Sequence, residues 1–234
     1  MTKLDILAFG AHPDDVEIGM GGTIAKHVQA GLKVGICDLT FAEMSSNGTV
    51  ELRQQEADLA STVLGLSRRT CLGLPDRGLL LEKVQIDKIV KEIRETKPDI
   101  VFAPYWQDRH PDHVQCSKMI EEAVFNAKLR KYMPELEAWE VPQLVFYYIN
   151  DMHDPTIMID ISEQWTLKEQ ALRAYSSQFD ATATVDAVQT PLTRQYVERV
   201  FARDQLLAQS QKGWTTAEGF TTRKPLSLSL FKKH

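Results

Sequence analysis

Short apolar runs alternate with longer amphipathic segments along most of this chain. The runs predict strands at residues 4–10, 33–40, 69–74, 99–104, 143–150 and 156–161. Apolar positions at helical spacing predict helices at residues 23–30, 50–64, around 86–93, 114–132, 163–175 and 192–209. Residues 176–190 show little periodicity, which favours a mobile surface loop.

Strands that alternate with helices imply right-handed crossovers and a largely parallel sheet. The sequence therefore predicts a single-domain, Rossmann-like α/β fold over residues 1–234, with helices on both faces of the sheet. In such sheets, ligands bind beyond the carboxyl ends of the strands. Polar residues that directly follow a predicted strand are the first candidates for a functional site.

The composition narrows the class of protein. The chain has 234 residues, 43% of them hydrophobic and 25% charged, which is typical of a globular protein. Its net charge of -5, without a basic stripe, argues against nucleic acid as a partner. No apolar run approaches the roughly 20 residues of a membrane span, so no membrane partner is expected. An N-terminus without a signal-peptide pattern and three scattered cysteines favour the reducing cytoplasm.

Two similar tetrapeptides carry the candidate chemistry. HPDD occupies residues 12–15 and HPDH residues 110–113, each just after a predicted strand or its exit loop. Proline is well tolerated at the first helical position, so each histidine is expected at a helix start. Taken alone, either motif is typical of a turn before a helix. Together, at two strand ends of one sheet, they favour a metal site.

His12, Asp15 and His113 would give a metal two nitrogen ligands and one carboxylate, with positions left open for water and substrate. Such a site is typical of a hydrolase. Asp14 would then be available as a base and His110 as an acid or oxyanion partner. Asp112 would orient a metal-binding histidine without binding the metal itself. The spacing does not fix these roles within each tetrapeptide.

Three further residues are candidate substrate contacts. Arg109 directly precedes His110, where a guanidinium suits a carboxylate or phosphate. Asp76 lies in a turn after a predicted strand, where it is either a turn residue or an acceptor for sugar hydroxyls. Arg53 lies within a predicted helix, and from its position alone it is expected to solvate the helix surface.

Gly19, Gly21 and Gly22 resemble a dinucleotide fingerprint only superficially. That fingerprint opens the turn after the first strand, whereas here HPDD occupies the turn and the glycines follow it. These glycines therefore predict close packing of a helix on the sheet rather than a nucleotide site.

The motifs together resemble those of the PIG-L or LmbE-like zinc N-deacetylase family. The resemblance spans nearly the whole chain and rests on five segments in the family's order: residues 10–15 (GAHPDD), Arg53-x-x-Glu56, Gly73-x-x-Asp76, residues 110–113 (HPDH) and residues 217–220 (AEGF). Many relatives have Glu directly after the two aspartates, whereas Val16 stands here before Glu17, so no role is transferred to Glu17.

The resemblance implies a role for each matching residue. It implies that His12, Asp15 and His113 bind the metal. The ligand set itself favours Zn²⁺ and also suits Fe²⁺. Asp14 is implied as the general base, His110 as the acid or oxyanion stabiliser, and Arg53 with Asp76 as sugar ligands. Relatives also suggest a homo-oligomer, such as a hexamer.

Residues 45–49 (SSNGT) and 72–79 (LGLPDRGL) resemble the bacillithiol-pathway subfamily, which removes acetate from N-acetylglucosaminyl malate. The expected partner is therefore a small amino-sugar conjugate, with Arg109 beside a malate carboxylate. Another N-acetylglucosamine conjugate is the nearest alternative. An Fe(II) oxygenase could use the same ligand types, and a non-catalytic nucleotide- or sugar-binding module would need no metal.

Overall fold

The computed structural model describes residues 3–180, 182 and 187–225. The strands are β1 (Ile6–Gly10), β2 (Val34–Thr40), β3 (Arg68–Leu74), β4 (Ile100–Pro104), β5 (Gln143–Tyr147), β6 (Ile157–Asp160) and β7 (Ala217–Thr221). The helices are α1 (Asp15–Gln29), α2 (Val50–Leu64), α3 (Lys83–Thr96), α4 (Pro111–Ala127), α5 (Trp165–Arg173), α6 (Ser176–Phe179) and α7 (Tyr196–Ala208).

The seven strands form one sheet in the order β3-β2-β1-β4-β5-β7-β6. Strands β1 to β5 pair in parallel, and β7 lies antiparallel between β5 and β6. The predicted α/β fold with a largely parallel sheet is therefore confirmed. Strand β7 was not predicted, because its five residues include Glu218 and Gly219 and show no apolar alternation.

The two faces of the sheet are covered by different helices. Along β1, Ile6 and Ala8 join an apolar cluster with α1, α2, α5 and α7. Leu7 and Phe9 point to the other face and join a cluster with α3 and α4. This alternation follows from the two-residue period of a strand. Because β1 and β4 pair in parallel, their carboxyl ends lie side by side.

Three helix boundaries differ from the predicted ones by four residues or more. Helix α1 begins at Asp15 rather than at residue 23, because three glycines hide its apolar periodicity. Gly19 and Gly22 do pack closely, as predicted: a Cβ atom would lie 2.2 Å from Tyr147 and 2.6 Å from Ile161, respectively. Helix α7 begins at Tyr196 rather than at residue 192.

Helix α4 ends at Ala127 rather than at residue 132 because of Arg94. The buried Arg94 guanidinium donates to the Ala127 carbonyl at 3.0 Å and to the Leu129 carbonyl at 2.8 Å. It also reaches the Met133 carbonyl at 2.7 Å, so it satisfies carbonyl groups that a continuing helix would use itself.

The predicted loop at 176–190 contains the short helix α6, with Ser177 and Gln178 buried. Residues 181 and 183–186 of that loop lie outside the described part of the chain. Within the described ranges, none of the helices combines the length and the apolar character that a bilayer crossing would require.

Candidate metal centre and its cavity

Both histidine motifs lie at the carboxyl ends of adjacent parallel strands, but they enter their helices differently. His110 is the N-cap of α4 and Pro111 its first residue, as predicted. In the first motif, Asp14 rather than His12 is the cap residue, so the predicted helix start at His12 is wrong. Asp14 has a φ of 110°, in the left-handed region, and this turn places His12 and Pro13 before the helix.

Asp15 links the histidines of the two motifs. Its Oδ1 lies 3.0 Å from His113 Nε2, and its Oδ2 lies 3.5 Å from His12 Nδ1. All three side chains are buried. The predicted ligand set of His12, Asp15 and His113 is therefore brought together in space, although the two motifs are almost one hundred residues apart.

Each of these imidazoles has a carboxylate at its other nitrogen. His113 Nδ1 lies 3.0 Å from Asp108 Oδ1. His12 Nε2 lies 3.2 Å from Asp76 Oδ1 and 3.5 Å from Asp112 Oδ2. A carboxylate behind a histidine is typical of metal centres, where it fixes the ring orientation and raises the basicity of the ligating nitrogen.

The carboxylates make this site favourable for positive charge. Burial alone would lower the pKa of His12, but hydrogen bonds to Asp112, Asp15 and Asp76 raise it well above its usual value. Burial is likewise outweighed at His113, where Asp15 and Asp108 raise the pKa to about 9. A divalent cation competes with protons for the same nitrogen lone pairs. The residues therefore fit a cation on chemical grounds.

Two sets of donor atoms lie within 4.8 Å of one another: His12 with His110 and His113, and His12 with Asp76 and Asp112. Asp15 is in neither set, although it contacts two of the histidines directly. In the second set, Asp76 Oδ2 accepts from the Met44 amide at 2.9 Å. Asp112 Oδ1 accepts from Arg77 Nη1 at 2.9 Å. These two carboxylates thus already have protein partners.

Asp14 lies beside this centre and forms a buried ion pair with Arg53. Arg53 Nη2 donates to Asp14 Oδ2 at 2.9 Å, and Arg53 Nε donates to the Pro13 carbonyl at 3.0 Å. Burial raises the pKa of Asp14 to about 7, and the Arg53 charge opposes that rise. Arg53 is itself buried and stacks on Tyr175, 5.5 Å from the ring centroid. The expectation of a helix-solvating Arg53 is therefore wrong, because Asp14 and Pro13 draw its side chain inward.

His110 is half-buried and lies at the cavity described below. Its Nδ1 accepts from the Asp112 amide at 3.2 Å, as expected of an N-cap side chain. Burial and the neighbouring His113 and His12 charges lower its pKa. A neutral imidazole that accepts at Nδ1 carries its proton on Nε2, so His110 offers a hydrogen-bond donor.

These side chains surround a cavity of about 560 Å³. Eight of the nine predicted site residues line it, namely His12, Asp14, Asp15, Arg53, Asp76, Arg109, His110 and His113. Asp112 lies behind His12 instead. Arg109 is exposed, and no hydrogen bond or ion pair links it to any other residue in the described ranges.

Sequence reasoning missed Asp108 and Asn150. Asp108 accepts from the His110 amide at 2.7 Å and from Asn150 Nδ2 at 2.8 Å, in addition to its contact with His113. Its position two residues before the HPDH motif was an available signal. Asn150 follows β5, so only the sheet order brings it near the motif.

Comparisons with known proteins show what this chain is similar to. The family model for PIG-L, described as GlcNAc-PI de-N-acetylase, matches residues 7–124. A diacetylchitobiose deacetylase of Thermococcus kodakarensis is 31% identical over 189 residues, covering 74% of this chain and 70% of that protein. A probable N-acetyl-alpha-D-glucosaminyl L-malate deacetylase 2 of Bacillus cereus is 27% identical over 191 residues, covering 75% of this chain and 84% of that protein.

A crystal structure of a conserved protein from Thermus thermophilus superposes with a TM-score of 0.88 at 37% identity. The superposition covers 99% of this chain and 100% of that one, so the two share their whole fold. The match of the family model to half of the sequence, together with the 31% identity to the archaeal deacetylase, shows that this chain belongs to the PIG-L family.

Proposed function

We propose that this protein is a metal-dependent hydrolase that removes acetate from an N-acetylglucosaminyl substrate. The observation that carries the proposal is the arrangement of His12 and His113, each with one nitrogen toward Asp15 and the other toward a carboxylate. A divalent cation bound there would polarise the acetamide carbonyl and lower the pKa of a water molecule.

His12, Asp15 and His113 are the proposed ligands of that cation. Apart from the His12 amide, which donates to Oδ2 at 2.9 Å, the polar contacts of the Asp15 carboxylate with described residues are those with the two histidine rings. Asp76 and Asp112 are instead engaged by the Met44 amide and by Arg77. Two imidazoles and one carboxylate suit Zn²⁺ in a catalytic site, and they also suit Fe²⁺.

Asp14 is the proposed general base. It is buried, lines the cavity and adjoins the ligand Asp15. Its ion pair with Arg53 fixes the carboxylate, which would accept a proton from the attacking water. A base held within hydrogen-bond reach of its proton is worth typically about 10²–10⁴-fold in rate.

His110 is the proposed partner of the developing oxyanion. As water adds to the carbonyl carbon, negative charge grows on the carbonyl oxygen, where an Nε2–H donor stabilises it. The carbon–nitrogen bond then breaks, the amine leaves with the proton taken from water, and acetate remains. The new carboxyl group gives up the second proton of the water to the amine, so water and amide are converted to acetate and a protonated glucosamine product.

The sugar would be held by Arg53 and Asp76, which line the same cavity. Arg53 Nη1 is buried and has no hydrogen-bond partner among the described residues, so this guanidinium keeps an unused donor beside the cavity. A cavity of about 560 Å³ lies within the usual range for small-molecule sites.

An acidic aglycone, such as malate, is proposed on the basis of Arg109. This side chain lies at the boundary between the main cavity and a second groove of about 310 Å³, which Arg199 also lines. Arg203 lines the groove as well, but its charge is neutralised by Asp204 at 3.0 Å. Asp151 is the acidic residue of the groove, so the available charge favours an anion.

The test is acetate release from N-acetylglucosaminyl malate, N-acetylglucosamine and diacetylchitobiose, before and after removal of the metal. The proposal predicts release that is lost with a chelator, restored by Zn²⁺ or Fe²⁺ and fastest with the malate conjugate. Oxygen consumption with turnover would instead favour an Fe(II) oxygenase. Sugar binding unaffected by the chelator, without acetate release, would favour a binding module.

Two properties of the whole chain are also proposed. We expect one domain, because all seven strands belong to one sheet, and a homo-oligomer such as a hexamer. Light scattering on the purified protein measures the number of subunits.

A further inference from the structure

Helix α1 is broken in its middle. Met20 has φ and ψ of −150° and 21°, outside the helical region. The next amides turn to another element: Gly22 N donates to Glu218 Oε1 at 3.0 Å and Thr23 N to Glu218 Oε2 at 2.6 Å. In an uninterrupted helix, these two amides would donate to the carbonyls of Ile18 and Gly19. Glu218 of β7 therefore caps the second half of α1.

The carbonyl on the other side of the break has a partner of its own. The Ile18 carbonyl accepts from Arg203 Nη2 at 2.9 Å. Arg203 Nη1 donates to the Ile149 carbonyl at 2.8 Å. Ile18 and Ile149 both line the catalytic cavity. Arg203 thus joins the first half of α1 to the segment that follows β5.

Two further charges connect Glu218 with Arg203. Lys168 Nζ lies 2.6 Å from Glu218 Oε1 and 2.7 Å from Asp204 Oδ2. Asp204 Oδ1 accepts from Arg203 Nε at 3.0 Å. The network therefore contains two cations and two anions and spans the break. Lys168, Asp204 and Glu218 are at most 1% exposed, so no water replaces a lost partner without rearrangement.

We propose that Glu218 and Arg203 are positioning residues that hold the break in α1 open and thereby place Asp14 and Asp15 at the cavity. The second half of α1 is fixed to the sheet, because Gly22 packs directly on Ile161. If the amide of Gly22 returned to the Ile18 carbonyl, the first turn of α1 would have to rotate relative to this fixed half. The two acidic side chains begin that first turn, so they would move with it.

A shift of this kind affects rate more than substrate binding. Misplacement of a reacting group by about 1 Å can cost roughly 10²-fold in rate. A network that supports stability alone would lower the unfolding temperature and leave kcat unchanged. The two roles are therefore separable by kinetics.

Two variants probe the two sides of the break. Glu218→Gln keeps one oxygen acceptor but loses the charge and the second acceptor. Arg203→Lys keeps the positive charge but loses the two Nη groups that donate to the Ile18 and Ile149 carbonyls. Glu92→Gln is the matched control, because Glu92 is a buried carboxylate that accepts two hydrogen bonds from Arg68, at 2.9 and 3.2 Å. Glu92 lies on α3, at the opposite face of the sheet.

The experiment combines NMR of the Gly22 and Thr23 amides with kcat and KM for acetate release. For Glu218→Gln, we expect both amide resonances to shift and their hydrogen exchange to accelerate, and kcat to fall about 10- to 100-fold with KM within about 3-fold. Arg203→Lys should lower kcat in the same way, and Glu92→Gln should change kcat by less than about twofold.

Unchanged amide resonances in Glu218→Gln, or a kcat loss no larger than that of the control, would overturn the proposal. A rise in KM at constant kcat would also overturn it. If Glu218→Gln fails to fold by circular dichroism, Arg203→Lys decides the same question from the other side of the break.

The kinetic readout rests on the proposed deacetylase function, whereas Zn²⁺ affinity does not. A displaced Asp15 should weaken Zn²⁺ binding about 10-fold in Glu218→Gln but not in Glu92→Gln. If the wild type releases no acetate from any N-acetyl sugar, the proposed function fails, and the amide and Zn²⁺ measurements still decide the positioning role. Unchanged amides and unchanged Zn²⁺ affinity would reject it.

Discussion

Asp108 accepts a hydrogen bond from His113 Nδ1 at 3.0 Å, and this contact directs His113 Nε2 toward Asp15. The same Asp108 is held by the Asn150 amide group at 2.8 Å. The histidine ring is thereby oriented by Asp108, which precedes the HPDH motif, and linked through it to the segment that follows β5. Orientation of this kind is needed before a metal binds.

Asp108→Asn should therefore weaken metal binding. The amide is a poorer acceptor than a carboxylate, and loss of such a partner typically reduces metal affinity about 10- to 100-fold. Competition titration with a chromophoric Zn²⁺ chelator measures the affinity. Asp87→Asn, at a more exposed carboxylate on α3 that pairs with Lys83, is the control. Equal affinities for the two variants would remove Asp108 from this role.

Asp14→Asn should keep the metal and lose turnover. Asparagine tolerates the left-handed backbone that Asp14 adopts, at a φ of 110°, but it cannot accept a proton at neutral pH. We expect kcat to fall by about 10²-fold or more. Metal content by elemental analysis checks that the centre is intact. Turnover near that of the wild type would show that another group is the base.

Arg109→Ala should reduce activity on acidic substrates selectively. The exposed guanidinium has no protein partner in the described ranges, so its loss should leave the fold intact. We expect kcat/KM for N-acetylglucosaminyl malate to fall about 10-fold or more, and that for N-acetylglucosamine to change little. Arg173→Ala, at an exposed arginine paired with Glu169, is the control. An equal loss on both substrates would argue against a carboxylate contact.

Gly19→Ala should destabilise the protein through a clash with the sheet. Its Cβ atom would lie 2.2 Å from Tyr147, whose hydroxyl donates to the Phe9 carbonyl at 2.8 Å and whose ring therefore has little freedom to move. Overpacking of this kind typically costs about 1–3 kcal/mol. Gly21→Ala in the same helix should cost less, because its Cβ atom would lie 3.2 Å from the Lys168 side chain, a much longer contact than that of Gly19. Denaturant unfolding of both variants measures the difference in the free energy of unfolding.

The parts of the fold that repeat a strong local pattern were predictable. Helix α2 has the predicted bounds of Val50 to Leu64, because Thr49 caps its start and Gly65 adopts the left-handed conformation at its end. The site was predictable to the extent that HPDD and HPDH follow parallel strands. The burial of the Arg53 side chain was not predictable, because it depends on hydrogen bonds to Asp14 and to the Pro13 carbonyl, which lies 40 residues away in sequence.

The antiparallel strand β7 could not be predicted from the hydrophobic pattern of the sequence, for a different reason. Its second residue, Glu218, is among the most buried carboxylates of the described residues and is stabilised by Lys168 and by two amides of α1. A charged residue in a five-residue strand opposes the apolar signal on which strand prediction depends. The partners that make its burial tolerable are distant in sequence.

The place of β7 in the sheet also bears on how the protein is made. Strand β7 is inserted between β5 and β6, yet it begins at residue 217 of 234. During synthesis, the edge of β5 therefore stays unpaired, and α1 stays without its cap, until residues 217–221 have been made. A nascent or prematurely terminated chain would thus present an incomplete sheet to chaperones and proteases, and hydrolytic competence would arrive only with the last strand.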